Sequence, residues 1–146
     1  MFRLVAEVDA SRRAQLRSRL RAGNTAASPE LRALRGTPHE NEVPLEVWAL
    51  DRAGALAGGL IGYTWGGWLH VTHLWVDERV RGGGVGGGLL AEAERVAGVR
   101  GCRAARLETW DFQAPGFYRK QGYDVVCVIP DYPAGITEYT LTKRLG

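Results

Sequence analysis

The sequence is poor in the residues that build metal centres and disulfide frameworks. Its 146 residues include two cysteines, Cys102 and Cys127, which form neither a CxxC pair nor a spacing suited to a metal. The three histidines, His39, His70 and His73, have no HExxH arrangement. We therefore expect no metal site and two reduced, mostly buried thiols.

Long apolar runs are also missing. No stretch approaches the roughly 20 apolar residues of a membrane-spanning helix, and the first residues, MFRLVAEVDASRR, lack the apolar core of a signal peptide. There are no repeats and no low-complexity segments. With 45% hydrophobic and 24% charged residues, the chain has the composition of an ordinary globular protein. We expect one cytoplasmic domain over residues 1–146, without a membrane partner.

The positive charge is modest and concentrated in one segment. The net charge is +3, and much of it lies in residues 11–22, SRRAQLRSRLRA, where arginines cover most of a predicted helix. Such a run usually forms a solvated helix face. The alternative is a surface for an acidic ligand or nucleic acid, but no aromatic residues are interleaved with the arginines. We expect no nucleic-acid partner.

Hydrophobic periodicity and turn residues predict the order β-α-α-β-β-β-α-β-α-β-β, a mixed α/β fold. Asp9 or Ser11 is expected to cap the arginine-rich helix, and Ser28-Pro29 to begin a second helix. The three middle strands are separated by short turns, so they predict an antiparallel meander. The strands are expected at residues 2–8, 45–51, 56–65, 68–77 and 103–110, with two more after residue 122. Of the two later helices, one is expected directly after the glycine-rich run and the other at residues 114–121.

The glycine-rich run RGGGVGGG, residues 81–88, separates the meander from an apolar helical stripe that begins at Leu89. A glycine loop before a helix lets backbone N–H groups approach oxyanions, and the helix terminus adds about half a positive charge. A P-loop requires a lysine and then a serine or threonine directly after its last glycine, and the run lacks both, which excludes a P-loop. Gly82-x-Gly84-x-x-Gly87 matches the dinucleotide-binding pattern, but antiparallel strands before the loop argue against that fold.

A third pattern, Gln/Arg-x-x-Gly-x-Gly/Ala, is matched by residues 81–86, directly after LWVDE. Residues 117–123, FYRKQGY, match a second pattern, Phe-Tyr-x-Lys-x-Gly-Phe/Tyr. With these segments and its element order, the whole chain resembles the GNAT superfamily of N-acetyltransferases, in particular a subgroup of small bacterial members. The resemblance implies a central, mostly antiparallel sheet flanked by helices and acetyl-CoA as the co-substrate.

The resemblance also implies a cofactor site around the loop. Main-chain groups of the preceding strand would pair with the pantetheine arm, and Val76 N–H would polarise the acetyl carbonyl. Gln113 would contact the cofactor, since Asp111 stands where many members have asparagine. The implied cofactor-binding residues are Leu74, Trp75, Val76, Arg81, Gly82, Gly83, Gly84, Val85, Gly86, Gly87, Gln113 and Tyr118.

The resemblance implies Tyr118 as the general acid for the departing thiolate, a core tyrosine being the alternative. Some members carry Glu or His six residues before the position of Val76, which makes His70 the candidate base. A hydrogen-bonded structural histidine is the alternative reading. Strand alternation predicts that His70, Thr72, Leu74 and Val76 share one side, with His73 on the other.

Acceptor recognition is less specific in the sequence. Glu108 is a second candidate base or a ligand for a cationic acceptor. Trp110, with Trp65, Trp68 and Trp75, suggests stacking on a flat or cationic small molecule, although we expect at least two of these four to belong to the core.

These features predict direct transfer of an acetyl group to a primary amine of a small molecule, or of a peptide or protein, in a ternary complex. Cys102 and Cys127 lie outside the predicted site, which argues against an acetyl-cysteine intermediate. One alternative is a non-catalytic acyl-CoA-binding or sensing module on the same fold. Another is a nucleic-acid module that uses the arginine helix. The acceptor, and the choice between monomer and homodimer, stay open.

Overall fold

The computed structural model describes residues 1–146, which separate into two compact units, Met1–Thr37 and Pro38–Gly146. The first unit contains α1 (Ala10–Ala27) and α2 (Pro29–Leu34). Asp9 accepts a hydrogen bond from Arg12 N–H and caps α1, and Ser28 caps α2 immediately before its first-turn proline. Both helix starts confirm the sequence prediction.

Residues 2–8 form no strand, so that prediction was wrong. The segment is apolar, but Phe2, Leu4 and Val8 are 93–94% exposed. A strand requires a neighbour that pairs with its N–H and C=O groups, and apolar composition does not supply one. The observed order is therefore α-α-β-β-β-α-β-α-β-β.

The second unit contains one sheet of six strands in the order β1-β2-β3-β4-β6-β5. All neighbouring strands are antiparallel except β3 and β4, which confirms the mostly antiparallel mixed fold and the meander. None of the helices combines the length and the apolar character that a membrane-spanning segment requires. The elements are β1 (Val43–Leu50), β2 (Leu56–Trp65), β3 (Trp68–Val76), a 3-10 helix (Glu78–Val80), α3 (Val85–Val99), β4 (Ala104–Trp110), α4 (Pro115–Lys120), β5 (Asp124–Ile129) and β6 (Glu138–Arg144).

The core of this unit lies between α3 and one face of the sheet. Leu69 of β3, Leu107 of β4 and Leu141 of β6 are at most 1% exposed, and Leu90 and Ala93 of α3 join the same cluster. Burying one leucine side chain contributes about 1.5–3 kcal/mol. The apolar stripe predicted after the glycine-rich run is therefore the core-facing side of α3.

The two thiols are free but differ in burial. Cys102 is buried, as predicted, whereas Cys127 is exposed, so the prediction for Cys127 was wrong. Cys127 lies on β5 at the edge of the sheet, next to an irregularity in its pairing with β6. An edge strand has only one neighbour, which leaves an outward-facing side chain open to solvent.

The strand β3 changes its pairing at Val71. Up to that residue it pairs in parallel with β4, ending at the pair Val71 and Leu107. Beyond it, β3 continues along β2 to Val76, while β4 continues along β6 to Trp110. At the same place the register skips Thr72, which marks a bulge, and the Thr72 hydroxyl donates to Ile61 O of β2 at 3.0 Å. The two strands therefore diverge and leave a gap between them.

A glycine on β2 permits this bulge. A Cβ on Gly62 would overlap the carbonyl oxygen of His70, so we expect Gly62→Ala to lower the free energy of unfolding by about 1–3 kcal/mol. Gly88→Ala is the matched control, because a Cβ at this position in α3 meets nothing within 4 Å. That variant should be more stable by about 0.5 kcal/mol, since alanine is the better helix former. Urea unfolding measures both, and an unchanged Gly62→Ala protein would contradict the close contact.

Candidate active site

The β3 side of the gap presents main-chain groups. Asp77 N–H donates to the carbonyl oxygen of Ala57, in β2, at 2.9 Å. In an antiparallel strand, the main-chain N–H and C=O groups of every second residue point to the same neighbouring strand. Leu74 and Val76 therefore direct their main-chain groups away from β2, into the gap. Trp75, grouped with them in the prediction, directs its main chain to β2 instead.

The bulge reverses the side-chain alternation of β3. Leu69 before Thr72 belongs to the core, and Leu74 and Val76 after it pack against the same core. His70 therefore lies on the opposite face from Leu74 and Val76. The prediction that these side chains share one side was wrong, because one inserted residue shifts the alternation for the rest of the strand.

His73 is the second consequence of the bulge. It pairs with Ile61, which is exposed, and it follows the bulge by one residue. Its side chain therefore lies on the same face as His70, contrary to the prediction. His73 is exposed and its Nδ1 lies 3.1 Å from Thr72 Oγ1.

Residues 82–87 leave a row of main-chain N–H groups at the start of α3, whereas Arg81 N–H donates to Glu78 O at 3.3 Å. The first α-helical hydrogen bond runs from Gly88 N–H to Gly84 O at 2.9 Å, so the N–H groups of residues 85–87 have no partner within the helix. No side chain caps the helix. The loop thus combines unpaired donors with the positive end of the helix dipole.

Three glycines of this loop are favoured by its geometry, and the first, Gly82, has φ of 83°, in the left-handed region. Gly84 caps α3 with φ of 83°, in the left-handed region. A Cβ on Gly86 would lie 3.3 Å from Phe117 Cζ and 3.6 Å from Val76 Cγ2, because α3, α4 and the end of β3 meet there. Arg81 closes the turn, since its Nε donates to Val76 O at 3.1 Å. Nothing in the structure explains the glycine at position 88.

A hydrogen-bonded network surrounds His70 on the face opposite the core. Its Nδ1 lies 2.8 Å from the Tyr63 hydroxyl, and its Nε2 lies 2.8 Å from Glu108 Oε2. Arg106 Nη2 donates to Glu108 Oε1 at 2.9 Å. Burial acts to raise the pKa of Glu108, but the hydrogen bonds and charges of His70 and Arg106 outweigh it and hold that pKa below its ordinary value. Glu108 is therefore a carboxylate at neutral pH.

Two members of the network, Tyr63 and Arg106, were missed from the sequence. The signal for Tyr63 was present, because a two-residue turn at 66–67 pairs Trp65 with Trp68 and, two steps back, Tyr63 with His70. Arg106 shares a strand face with Glu108 by alternation. Its place beside His70 depends on the parallel register of β3 and β4, which no local pattern specifies.

The network borders a cleft of about 400 Å³ on the same face of the sheet. Tryptophans 65 and 68 line it, whereas Trp110 stacks on Phe112 at 5.6 Å between ring centroids. None of the four tryptophans near the predicted site is buried, so the expectation that at least two are core residues was wrong. The cleft lining includes Tyr63, Trp65, Trp68, His70, Arg106 and Thr140.

Tyr118 lies in the core on α4, 9% exposed. Its ring packs edge-on against Phe117 and Tyr123, with centroid distances of 5.1 and 6.1 Å. Burial raises the pKa of Tyr118 to about 12. Its phenol therefore keeps its proton at neutral pH.

The polar side chains after β4 have structural partners. Gln113 Oε1 accepts hydrogen bonds from Trp110 N–H at 3.0 Å and from the Thr109 hydroxyl at 3.2 Å. Asp111 accepts one from Thr137 N–H at 3.1 Å. The side-chain oxygens of both residues thus tie down the chain that leaves β4, and the Gln113 amide N–H groups are not used in these contacts.

The lowered pKa of Glu108 predicts a pH-dependent contribution to stability. We expect Glu108→Gln to lower the free energy of unfolding at pH 7 by about 1 kcal/mol. A carboxyl whose pKa is lower in the folded protein stabilises it above the unfolded pKa, near 4.5, and this contribution is lost as the pH falls below that value. Urea unfolding at pH 7 and pH 4 measures the change. Exposed Glu46→Gln is the control, and a pH-independent loss in Glu108→Gln would contradict the prediction.

Comparison with known proteins places these features in a family. Residues 44–125 match the family of GNAT acetyltransferase domains. The chain is 51% identical to a blasticidin-S acetyltransferase of Streptomyces morookaense over 131 residues, 87% of this chain and 96% of the relative. The crystal structure of an acetyltransferase from Bacillus cereus matches with a TM-score of 0.84 and 29% identity, covering 98% of each chain. A streptothricin acetyltransferase structure from Bacillus anthracis, in complex with acetyl coenzyme A, shares the fold with a TM-score of 0.64 and 20% identity, over 70% of this chain and 63% of that one.

Proposed function

The chain belongs to the GNAT family of acetyltransferases, which transfer acetyl from acetyl-CoA to an amine, and on that premise we propose that its acceptor is a small molecule with a flat ring. The proposal includes direct transfer within a ternary complex. The observation that carries it is the gap between β3 and β4, with the glycine loop at one end and the His70 network beside the other.

In this proposal acetyl-CoA lies along the gap. The N–H groups of residues 82–87 bind its pyrophosphate, as unpaired donors at a helix start bind anions. Arg81, whose own N–H donates to Glu78 O, contributes by closing the turn through its side chain. The main chains of Leu74 and Val76 pair with the pantetheine arm, and Val76 N–H polarises the acetyl carbonyl, which is worth on the order of 3 kcal/mol. The amide N–H groups of Gln113 remain for the cofactor, and Trp75 contributes only its side chain.

Tyr118 donates a hydrogen bond to the sulfur as the carbon–sulfur bond breaks. Its pKa of about 12 makes complete proton transfer to a thiolate unfavourable, since a thiol with a pKa of about 8.5 is the stronger acid by about 5 kcal/mol. A hydrogen bond stabilises the developing charge without that cost. Hydrogen-bond donation is therefore the role that the pKa favours.

His70 is the base in this proposal, and Glu108 positions it. The two oxygens of Glu108 are bonded to His70 and Arg106, so Glu108 orients the imidazole and stabilises its protonated form. This argues for a positioning role over the two roles considered from the sequence, a second base or a ligand of a cationic acceptor.

The acceptor site is the cleft beside His70. Its tryptophans offer faces on which a flat ring can stack, and its threonine hydroxyls offer hydrogen bonds. Blasticidin S is the first acceptor to test, because the relative that carries its name is 51% identical over nearly its whole length. Trp110, stacked on Phe112 at the end of β4, would contact the acceptor only from outside this cleft.

Several expectations from the sequence stay predictions. They are a single domain over residues 1–146, a cytoplasmic location, no metal, no nucleic-acid or membrane partner, and a monomer or homodimer.

The hydrogen bond from Tyr118 can be tested by removing its hydroxyl. We expect Tyr118→Phe to lower kcat on the order of 100-fold, because the thiolate loses its donor. The rise in Tm on adding acetyl-CoA should match that of the native protein, since the loop holds the cofactor. Tyr139→Phe, which removes a hydroxyl elsewhere in the sheet, is the control. An unchanged kcat would exclude the role of Tyr118, and a native protein without any Tm shift would refute the cofactor site.

The base can be tested with blasticidin S and a panel of amines, measuring the release of free coenzyme A. The native rate should fall toward acidic pH, because a protonated base cannot accept a proton. His70→Ala should be slower on the order of 100-fold, with this acidic limb flattened. If the limb persists in His70→Ala, another group is the base.

A further inference from the structure

We infer that Tyr63 is a catalytic residue that takes the proton from the acceptor's ammonium group and passes its own to His70. The inference rests on the proposed function of this site, because it specifies how the proton reaches the base. It assigns a role to a residue that no sequence motif marks.

The hydrogen-bond inventory of His70 leaves no free position on the imidazole. Glu108 is a carboxylate and can only accept, so His70 Nε2 carries the hydrogen and donates it over 2.8 Å. The neutral ring then has its lone pair on Nδ1, and the Tyr63 hydroxyl donates to it, also over 2.8 Å. An ammonium group has no direct access to a lone pair of His70 in this arrangement.

Tyr63 is the member of the network that still offers a lone pair. Its hydroxyl uses its hydrogen toward Nδ1 and keeps acceptor capacity on oxygen. Both residues line the cleft, and their rings meet edge-on with centroids 5.2 Å apart. They are also direct partners in the pairing of β2 and β3, so the backbone holds the contact.

The proton transfer balances without another reactant. An N–H bond of the ammonium breaks and its proton joins the Tyr63 oxygen, while the original Tyr63 O–H breaks and its proton joins His70 Nδ1. The products are a neutral amine, a neutral tyrosine and an imidazolium. The freed electron pair of the amine then attacks the thioester carbonyl. If both protons move in one step, no tyrosinate forms. A tyrosinate would be unfavourable at neutral pH, because the phenol of a free tyrosine has a pKa of about 10.

The charges around His70 favour the imidazolium product. β4 contributes Glu108 and Arg106, whose charges oppose each other, and only the carboxylate contacts the imidazole. β2 contributes Tyr63, which stays neutral. The lining residues from β5 and β6, Val126 and the two threonines at 140 and 142, carry no charge. The adjacent carboxylate is therefore the group that decides where the transferred proton rests.

The test is a single-turnover measurement on Tyr63→Phe. We expect the rate of acetyl transfer to fall at least about 10-fold, with the KM values for acetyl-CoA and the amine within about twofold of native. An unchanged or faster rate would overturn the relay, because it would mean that His70 Nδ1 accepts the ammonium proton directly and equally well without the Tyr63 hydroxyl. A raised KM for the amine with an unchanged rate would also overturn it, because Tyr63 would then only bind the acceptor. Tyr139→Phe should match the native protein in both.

A second measurement uses the native protein and does not depend on the variant folding. The single-turnover rate is measured in mixtures of H2O and D2O. Its plot against the deuterium fraction of the solvent should be curved, because two protons move in one step. A straight line, the signature of one proton, would overturn the relay. These outcomes are separate from the proposed function: a native protein that acetylates amines with a straight line loses only the relay, whereas one that acetylates no amine of the panel loses both.

Discussion

The end of the pairing between β3 and β4 is the constraint on which the rest of this structure depends. Had the two strands stayed hydrogen-bonded beyond Val71 and Leu107, the main-chain groups of Leu74 and Val76 would be satisfied within the sheet. Their divergence leaves the main chain of Leu74 and the N–H of Val76 open to the gap, while Val76 O accepts a hydrogen bond from Arg81 Nε. The bulge at Thr72 accompanies it and directs the side chains of Leu74 and Val76 onto the core. The end of the pairing thus opens the gap, and the bulge beside it anchors the gap's β3 wall in the core.

The sheet separates Tyr118 and His70, the two side chains for which we propose opposite roles in the reaction. Tyr118 belongs to the core on the α3 side, where burial keeps its phenol protonated. His70 lies on the opposite face, where Glu108 supports a positive charge. These environments suit opposite tasks, since one group must hold a proton and the other must gain one. In the proposed function, acetyl-CoA lies in the gap between β3 and β4, where groups from both faces of the sheet can reach it.

Prediction from sequence succeeded for features whose structure depends on residues close together in the chain. The caps at Asp9 and Ser28, the meander and the glycine loop all depend on residues within one or two turns of each other. It failed where a distant partner decides. Residues 2–8 have the composition of a strand without a neighbour, Cys127 is exposed because β5 is an edge, and Tyr63 became relevant only through its pairing with His70.

The sequence by itself determined the family, the order of most elements and the place of the glycine loop, because each is carried by residues that lie close together in the chain. Only the tertiary structure decided which face of β3 carries His70 and which groups surround it. Side-chain alternation is a local rule, but one extra residue at Thr72 reverses it, and that residue lies where the pairing of β3 with β4 ends. The sequence of β3 alone does not show where its pairing with β4 ends.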